Sequence, residues 1–207
     1  MQAATLTAGL ALGFALGQAA RRLACLPESS ASEAVLPGDD LLPAAPVQVD
    51  RVVAIAAAPE AVWPRIAQLG QHRAGFYTLP VIDQAIGCDS EAAKRIHPEW
   101  QDVHAGDAFP VAPFITLRVA AVSPGECLVV TTCGGTIATL VREFCAVNSS
   151  WAVVLRPDAV ATRLHVRVRW QPHDTRAARL LPVIRVVTAV MSALSLRRIR
   201  ALATQNA

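Results

Sequence analysis

Residues 162–170 read Thr-Arg-Leu-His-Val-Arg-Val-Arg-Trp, and this stretch is the clearest sign of the fold. Apolar and basic side chains alternate along it, and a period of two predicts a β-strand with one buried face and one solvated face. Strands of this kind belong to antiparallel sheets that are covered on one side. We therefore expect the basic residues on a solvated outer face. They are Arg163, His165, Arg167 and Arg169.

A long helix is predicted directly after this strand, from residue 175 to about residue 204. Apolar residues recur along it at helical spacing, and this stripe is expected to pack on the sheet. The stripe consists of Ile184, Val187, Met191 and Leu194. Pro182 lies too far inside the predicted helix to leave its backbone undisturbed, so it predicts either a kink or the true start of the helix.

The residues upstream complete an α+β pattern. A first strand over 47–56 precedes a helix that opens at Ala58-Pro59-Glu60 and ends at Gly70. Short helices are predicted over 81–86 and 90–96. Further strands are predicted over 109–111, 115–122, 127–133, 139–147 and 151–156. Helices on one face of an antiparallel sheet form an α+β architecture, and a long helix lying in a curved sheet often leaves a cavity for an apolar ligand.

The composition excludes several classes of protein. Apolar residues make up 53% of the chain and charged residues 17%, so the chain is not of the disordered type. Five cysteines without a CxxC pair predict neither a metal site nor a disulfide framework, and no motif calls for a cofactor. Residues 160–207 hold nine arginines and one acid, Asp174. Nucleic acid is nevertheless not an expected partner, because no nucleic-acid-binding module is present.

The N-terminal segment predicts a membrane anchor over residues 1–26. Residues 3–20 carry no charge and are close to the length of about 20 residues that spans a bilayer. Arg21 and Arg22 follow, which favours a single-pass anchor in the inner membrane with the remaining chain facing the cytoplasm. Overlapping GxxxG units at Gly9, Gly13 and Gly17 would permit self-association. The alternative is a partly disordered leader on a cytoplasmic protein.

A tether is predicted between this anchor and the globular domain. Residues 27–46 contain four prolines and several acidic residues, and proline favours extended backbone without donors. The ligand-binding domain is then expected to span residues 47–207.

Five motifs in this order resemble the SRPBCC superfamily of START-like and polyketide cyclase/dehydrase-like proteins, and in particular an uncharacterised actinobacterial-type subfamily. The five motifs lie at residues 36–40, 68–71, 75–77, 95–101 and 151–157, and residues 58–64 resemble the opening helix of the superfamily. The resemblance implies a helix-grip fold, in which a curved antiparallel sheet wraps around a long C-terminal helix. It also implies a pocket for a small hydrophobic ligand, lipid-like or polyketide-like.

Two hypotheses for function follow. The first is a protein that binds, shields or transports such a ligand. The residues expected to line its pocket are Trp63, Phe76, Tyr77, His97, Trp100, Val187 and Met191. The alternative is a cyclase or dehydratase with His97 as general acid or base, assisted by Glu99 or Tyr77. No catalytic set is assigned by the sequence, and His97 and Glu99 could equally satisfy backbone groups at the pocket rim.

Overall fold

The computed structural model describes residues 33–78, 93–113, 115–137 and 146–205, and it confirms the predicted α+β class. The strands are β1 (Val47–Ile55), β2 (Ala108–Ala112), β3 (Ile115–Ser123), β4 (Cys127–Ile137), β5 (Val147–Asp158) and β6 (Ala161–Pro172). The helices are α1 (Pro59–Ala67), α2 (Thr175–Ala178) and α3 (Leu181–Thr204). Two 3-10 turns cover Asp39–Leu41 and Pro98–Trp100.

Within the described residues the strands form one sheet of six, in the order β1-β6-β5-β4-β3-β2. Every neighbouring pair is antiparallel. The predicted strand over 162–170 is β6, which lies between β1 and the long strand β5. Its two neighbours hold its register, so its alternation decides which side chains reach each face.

The inner face of the sheet is the one that α3 covers. Val47 and Val49 of β1 pack against Leu181 at the start of α3, and Ile55 shares the main core with Leu196 and residues near the end of α3. Alternate residues of a strand share a face, so Arg51 and Val53 are on this face as well. Helix α3 packs mainly along β1 and to a lesser extent against β6 and α1.

The long C-terminal helix begins at Leu181, and Pro182 occupies its first turn. Of the two predicted outcomes, Pro182 therefore marks the start of α3, where its missing N–H has no intrahelical partner to lose. A separate short helix, α2, precedes it and is capped by the Asp174 side chain, which accepts from the Ala177 N–H at 2.7 Å.

The apolar stripe predicted for this helix is confirmed at Ile184, which packs with Val47 and Val49 of β1, and is wrong at Val187. Val187 is 38% exposed, whereas Thr188, Leu196 and Ile199 are buried. Valine, leucine and isoleucine occur on nearly every side of α3, so periodicity alone does not select the face that meets the sheet. The choice is made by contacts with β1.

The predicted solvated face of β6 is also wrong for most of its basic residues. Arg167 is only 2% exposed. Its Nε donates to Asp50 Oδ1 at 2.8 Å and its Nη1 to Asp39 Oδ2 at 2.6 Å. His165 lies 2.7 Å from the same Asp50 oxygen and is buried, whereas Arg163 is exposed as predicted. Acidic partners distant in sequence make this burial possible.

One of those partners comes from the segment predicted as a tether. Residues 34–43, here called the outer strap, lie on the outer face of the sheet rather than extending away from it. Leu36 is 3% exposed and packs with Val129, Ala152 and Val154. The outer strap thus supplies both apolar cover and the Asp39 carboxylate to the face opposite α3.

Several predictions fall outside the described residues. They are the anchor over residues 3–20 with Gly9, Gly13 and Gly17, the helix over 81–86, and most of the strand over 139–147. The described end of the helix predicted over 90–96 has no helical turn.

None of the helices within the described ranges has the length and apolar character that crossing a membrane requires.

Candidate ligand-binding site

The middle of the inner face keeps accessible apolar surface beneath the helix layer. Val166 of β6 lies diagonally between Val53 of β1 and Trp151 of β5, and all three are only partly buried. Nearby residues of the same face are fully buried, such as Leu164 at 0% and Leu128 at 2% exposure. We call Val53, Trp151 and Val166 the inner patch. Its side chains have the chemistry of an apolar binding surface.

Aromatic rings form one side of this patch. Phe76, from the loop after α1, contacts Trp151 edge-to-face with ring centroids 6.0 Å apart. Phe109 of β2 contacts both rings in the same manner, at 6.1 and 6.5 Å. Edge-to-face packing is favourable and leaves ring faces available for other contacts.

The Trp151 indole N–H has no acceptor among the described residues, although the atom is buried. An unpaired buried donor costs about 1–3 kcal/mol. The inner patch therefore combines apolar surface with one donor that a bound molecule could satisfy.

A second polar centre lies where α1 ends. Gln68 is completely buried. Its Nε2 donates to the Tyr77 hydroxyl at 2.7 Å and to the Arg95 carbonyl at 3.2 Å, while its Oε1 accepts from the His97 backbone N–H at 3.2 Å. Because the Arg95 carbonyl can only accept and the His97 N–H can only donate, they define which end of the Gln68 amide is nitrogen and which is oxygen. Gln68 thus joins α1, the loop that carries Tyr77, and residues 95–97.

Arginines strengthen the same junction. Arg65 is 1% exposed and donates from Nη1 to the Lys94 carbonyl at 2.8 Å. Arg73 donates from Nη2 to the Trp100 carbonyl, and burial lowers its pKa while Asp107 opposes that shift. The junction is therefore built largely from side chains that bind backbone carbonyls.

Tyr77 is the most deeply placed of the predicted site residues, at 1% exposure and with a positive φ of 56°. Burial raises the pKa of Tyr77, and the interactions with Gln68 and Arg65 partly offset that rise. Its oxygen accepts from Gln68, and no described acceptor receives its proton. Tyr77 is therefore a neutral phenol that can donate one hydrogen bond.

His97 is engaged at both ring nitrogens. Arg95 Nε donates to His97 Nε2 at 3.2 Å, so the ring proton is on Nδ1, which lies 3.0 Å from Glu99 Oε1. The ring also stacks on Trp100, with centroids 4.0 Å apart and planes at 21°. A general base at Nε2 would first have to lose the Arg95 hydrogen bond.

The three candidate catalytic groups do not converge on one point. The Glu99 side chain is 62% exposed, whereas Tyr77 is enclosed in the core. The Glu99 backbone N–H and the His97 ring lower the pKa of the Glu99 carboxyl, so it is an anion at neutral pH. His97 therefore contacts Glu99 and Trp100 near the protein surface. Among the described contacts, Gln68 links Tyr77 to His97.

The remaining predicted pocket residues are placed unequally. Phe76 is 7% exposed and belongs to the aromatic group beside the inner patch. Trp63 and Trp100 are partly buried against the main core. Met191 is partly buried on α3, whereas Val187 lies on the exposed side of that helix.

Sequence reasoning missed Gln68, Arg51 and Val166 as site residues. Gln68 stands in the quoted motif 68–71, but nothing in the sequence shows its three partners. Arg51 did carry a signal: Asp50 and Arg51 are consecutive in a predicted strand, so alternation must direct one of these two charges to the inner face.

The described residues form a curved six-stranded antiparallel sheet with a long C-terminal helix across one face. This is the helix-grip arrangement that the resemblance implied. No family model matches the sequence, and no curated protein matches it.

Solved structures with a similar backbone include polyketide cyclase-like proteins. The Polyketide_cyc-like protein Cgl2372 from Corynebacterium glutamicum is 16% identical, with 74% of this chain and 88% of that chain covered and a TM-score of 0.42. The di-domain ARO/CYC StfQ of the steffimycin biosynthetic pathway is 13% identical, with 82% and 55% covered and a TM-score of 0.45. CalU16 from Micromonospora echinospora is 12% identical, with 76% and 86% covered and a TM-score of 0.37.

Proposed function

We propose that this protein binds a small hydrophobic ligand, lipid-like or polyketide-like, between the inner face of the sheet and α3. The observation that carries the proposal is the inner patch. Its side chains are apolar and lie under the helix layer, yet they retain accessible surface. Buried apolar surface is the main source of affinity in such sites, and a few polar groups orient the ligand.

Two donors of the described residues favour a ligand that carries an oxygen acceptor. The Trp151 N–H lacks an acceptor among the described residues, and the Tyr77 hydroxyl proton lacks one as well. A carbonyl or hydroxyl oxygen on the ligand would satisfy either donor. Binding, shielding or transport of the ligand is compatible with this chemistry.

Val166→Phe tests the proposal because the larger ring fills the inner patch. We expect roughly tenfold or greater loss of affinity for the neutral apolar dye Nile red, measured by fluorescence titration. The free energy of unfolding should change by less than about 1 kcal/mol, since a ring entering open space avoids the cost of about 1–3 kcal/mol that overpacking brings.

Val52→Phe is the matched control, because Val52 is partly buried on the opposite face of β1. It should leave dye binding unchanged. Unchanged binding in Val166→Phe, or equal losses in both variants, would contradict a site on the inner face.

We prefer binding to the cyclase or dehydratase alternative because both His97 ring nitrogens are engaged and Tyr77 and Glu99 do not meet there. Under the binding hypothesis, His97→Ala leaves dye affinity within about twofold of the parent protein, a difference under about 0.5 kcal/mol. A reaction that is abolished by His97→Ala while binding persists would support the enzyme instead.

We also propose that residues 3–20 anchor the protein in the inner membrane, with the ligand-binding domain on the cytoplasmic side. The support is the uncharged length of this segment and the Arg21-Arg22 pair that follows it. Fractionation of the full chain tests the proposal. Recovery in the membrane fraction after a high-salt wash is expected, and recovery in the supernatant would contradict it and favour the cytoplasmic alternative.

A further inference from the structure

A buried arginine lies on the inner face beside the inner patch. Arg51 belongs to β1, and its direct partner across the sheet is Val166 of β6. The residues on either side of it on the same face are Val49, which packs with the start of α3, and Val53 of the inner patch. Arg51 is 8% exposed, so its side chain is largely enclosed by the protein.

The guanidinium is poorly satisfied within the described residues. One nitrogen, Nη1, donates to the Asp50 backbone carbonyl at 2.9 Å. The Nε atom is buried and has no partner. A guanidinium offers five donors, and the Asp50 carbonyl is the one acceptor that the described residues give it.

No carboxylate of the described residues neutralises this charge. The nearest acid in sequence, Asp50, points to the outer face, where His165 and Arg167 occupy its Oδ1 atom. The ion pairs within the described ranges involve other cations. A buried, unpaired charge is strongly unfavourable. The Arg51 charge inside a binding region therefore favours a bound ligand that supplies the counter-ion.

The helix opposite supplies further polar groups. Thr188 of α3 is 8% exposed on the sheet side of the helix, and its Oγ1 accepts from the Trp170 indole N–H at 3.1 Å. That contact leaves the Thr188 hydroxyl proton free to donate. The interior beneath α3 is therefore apolar with a cationic centre at Arg51, and it holds no anion among the residues described.

We infer that Arg51 recognises an acidic headgroup, so that the ligand of the inner patch is an amphipathic carboxylic acid with an apolar chain. This inference rests on the proposed function. A carboxylate matches one guanidinium in charge and in its two-oxygen geometry. A phosphate carries up to two charges and would leave excess negative charge beside a single arginine.

The test compares ligands that differ only at the headgroup, using the full-length protein stripped of lipid. The probes are palmitic acid, hexadecanol and hexadecyl phosphate, titrated by displacement of Nile red. The parent protein should bind palmitic acid roughly 10- to 100-fold more tightly than hexadecanol, the range expected for one charge-assisted pair.

Arg51→Gln should abolish that preference while leaving hexadecanol affinity unchanged, and Arg51→Lys should restore part of it. Arg156→Gln is the matched control, because Arg156 is exposed on β5. It should change none of the three affinities. Arg51→Met should also raise the Tm of the ligand-free protein, since the substitution removes an uncompensated buried charge.

The outcomes separate this inference from the proposed function. Equal affinity for acid and alcohol in the parent protein, or a preference that survives Arg51→Gln, would overturn the role of Arg51 while ligand binding stands. Tighter binding of the alkyl phosphate than of palmitic acid would overturn the carboxylate assignment. A lower Tm for Arg51→Met without ligand would show a structural role and overturn the inference. Failure of all three probes to bind would overturn both proposals.

Discussion

Gln68 illustrates how one side chain holds together segments that are distant in sequence. It satisfies the Tyr77 hydroxyl, the Arg95 carbonyl and the His97 N–H from a completely buried position. Each group left unpaired in a core costs about 1–3 kcal/mol, so this junction depends on the amide rather than on apolar packing.

Gln68→Ala is expected to lower the free energy of unfolding by about 2–5 kcal/mol, because the buried Tyr77 hydroxyl and two partly buried backbone groups lose their partner and a cavity forms. Chemical denaturation measures this. Gln205→Ala, at an exposed position after α3, should change stability by less than about 0.5 kcal/mol. A Gln68→Ala effect as small as the control's would refute the network.

Tyr77 offers a direct optical test, because it is the only tyrosine in the chain. Burial raises the pKa of Tyr77 above the ordinary value of 10.0. The folded protein should therefore show tyrosinate absorbance only at higher pH than the denatured protein does. Coincident titrations of the folded and denatured protein would show that Tyr77 is accessible.

The same shift predicts how stability depends on pH. A raised pKa means that the folded state holds the phenol proton more tightly, so this stabilisation is present below about pH 10. It is lost as the pH rises toward the folded-state pKa. Tyr77→Phe should remove this alkaline decline from the pH profile of the unfolding free energy, and an unchanged profile would contradict the assignment.

At the scale of elements, the outer strap depends on a close approach at Gly38. Its φ is 85°, and a Cβ there would lie 2.5 Å from Val129 Cγ1 on β4. Gly125, in the turn between β3 and β4, has a φ of 80° but open space around it. Both positions carry backbone strain for other residues, and only Gly38 adds a steric clash.

Gly38→Ala should therefore destabilise the protein by more than Gly125→Ala, whose cost is about 1–2 kcal/mol from backbone strain. It should also make the outer strap more sensitive to proteases, since the clash separates the strap from β4. Limited proteolysis with mass analysis of the fragments measures this. Equal sensitivity of the two variants would show that the strap does not rest on the sheet.

The elements also show where sequence reasoning succeeds and where it stops. Alternation in β6 is a local signal that predicts the strand, and Pro182 is a local signal whose two predicted outcomes include the helix start that the structure has. The face of α3 and the burial of Arg167 depend on β1 and on Asp39, which is 128 residues away in sequence from Arg167. Periodicity contains no information about such partners.

The site shows the same division. Tyr77, Phe76 and His97 could be selected by residue type and motif, and the structure places them at or near the junction. The inner patch and Arg51 appear only after the register of β1, β6 and β5 is known, because strand pairing decides which side chains become neighbours.

At the scale of the whole molecule, the two faces of the sheet have different roles. The outer face is sealed by the outer strap and by the ion pairs around Arg167. The inner face carries α3, the inner patch and an arginine without a described counter-ion. Accessible apolar surface and uncompensated charge are both on the helix side, and both favour a ligand there.

Native mass spectrometry of the full-length protein tests this claim most directly. We expect lipid-stripped protein of 21.9 kDa to form a one-to-one adduct with palmitic acid, denaturation to release the ligand, and Val166→Phe to prevent the adduct. If the spectrum shows only the bare protein mass, and palmitic acid at the same concentrations displaces no Nile red, ligand binding on the inner face is contradicted.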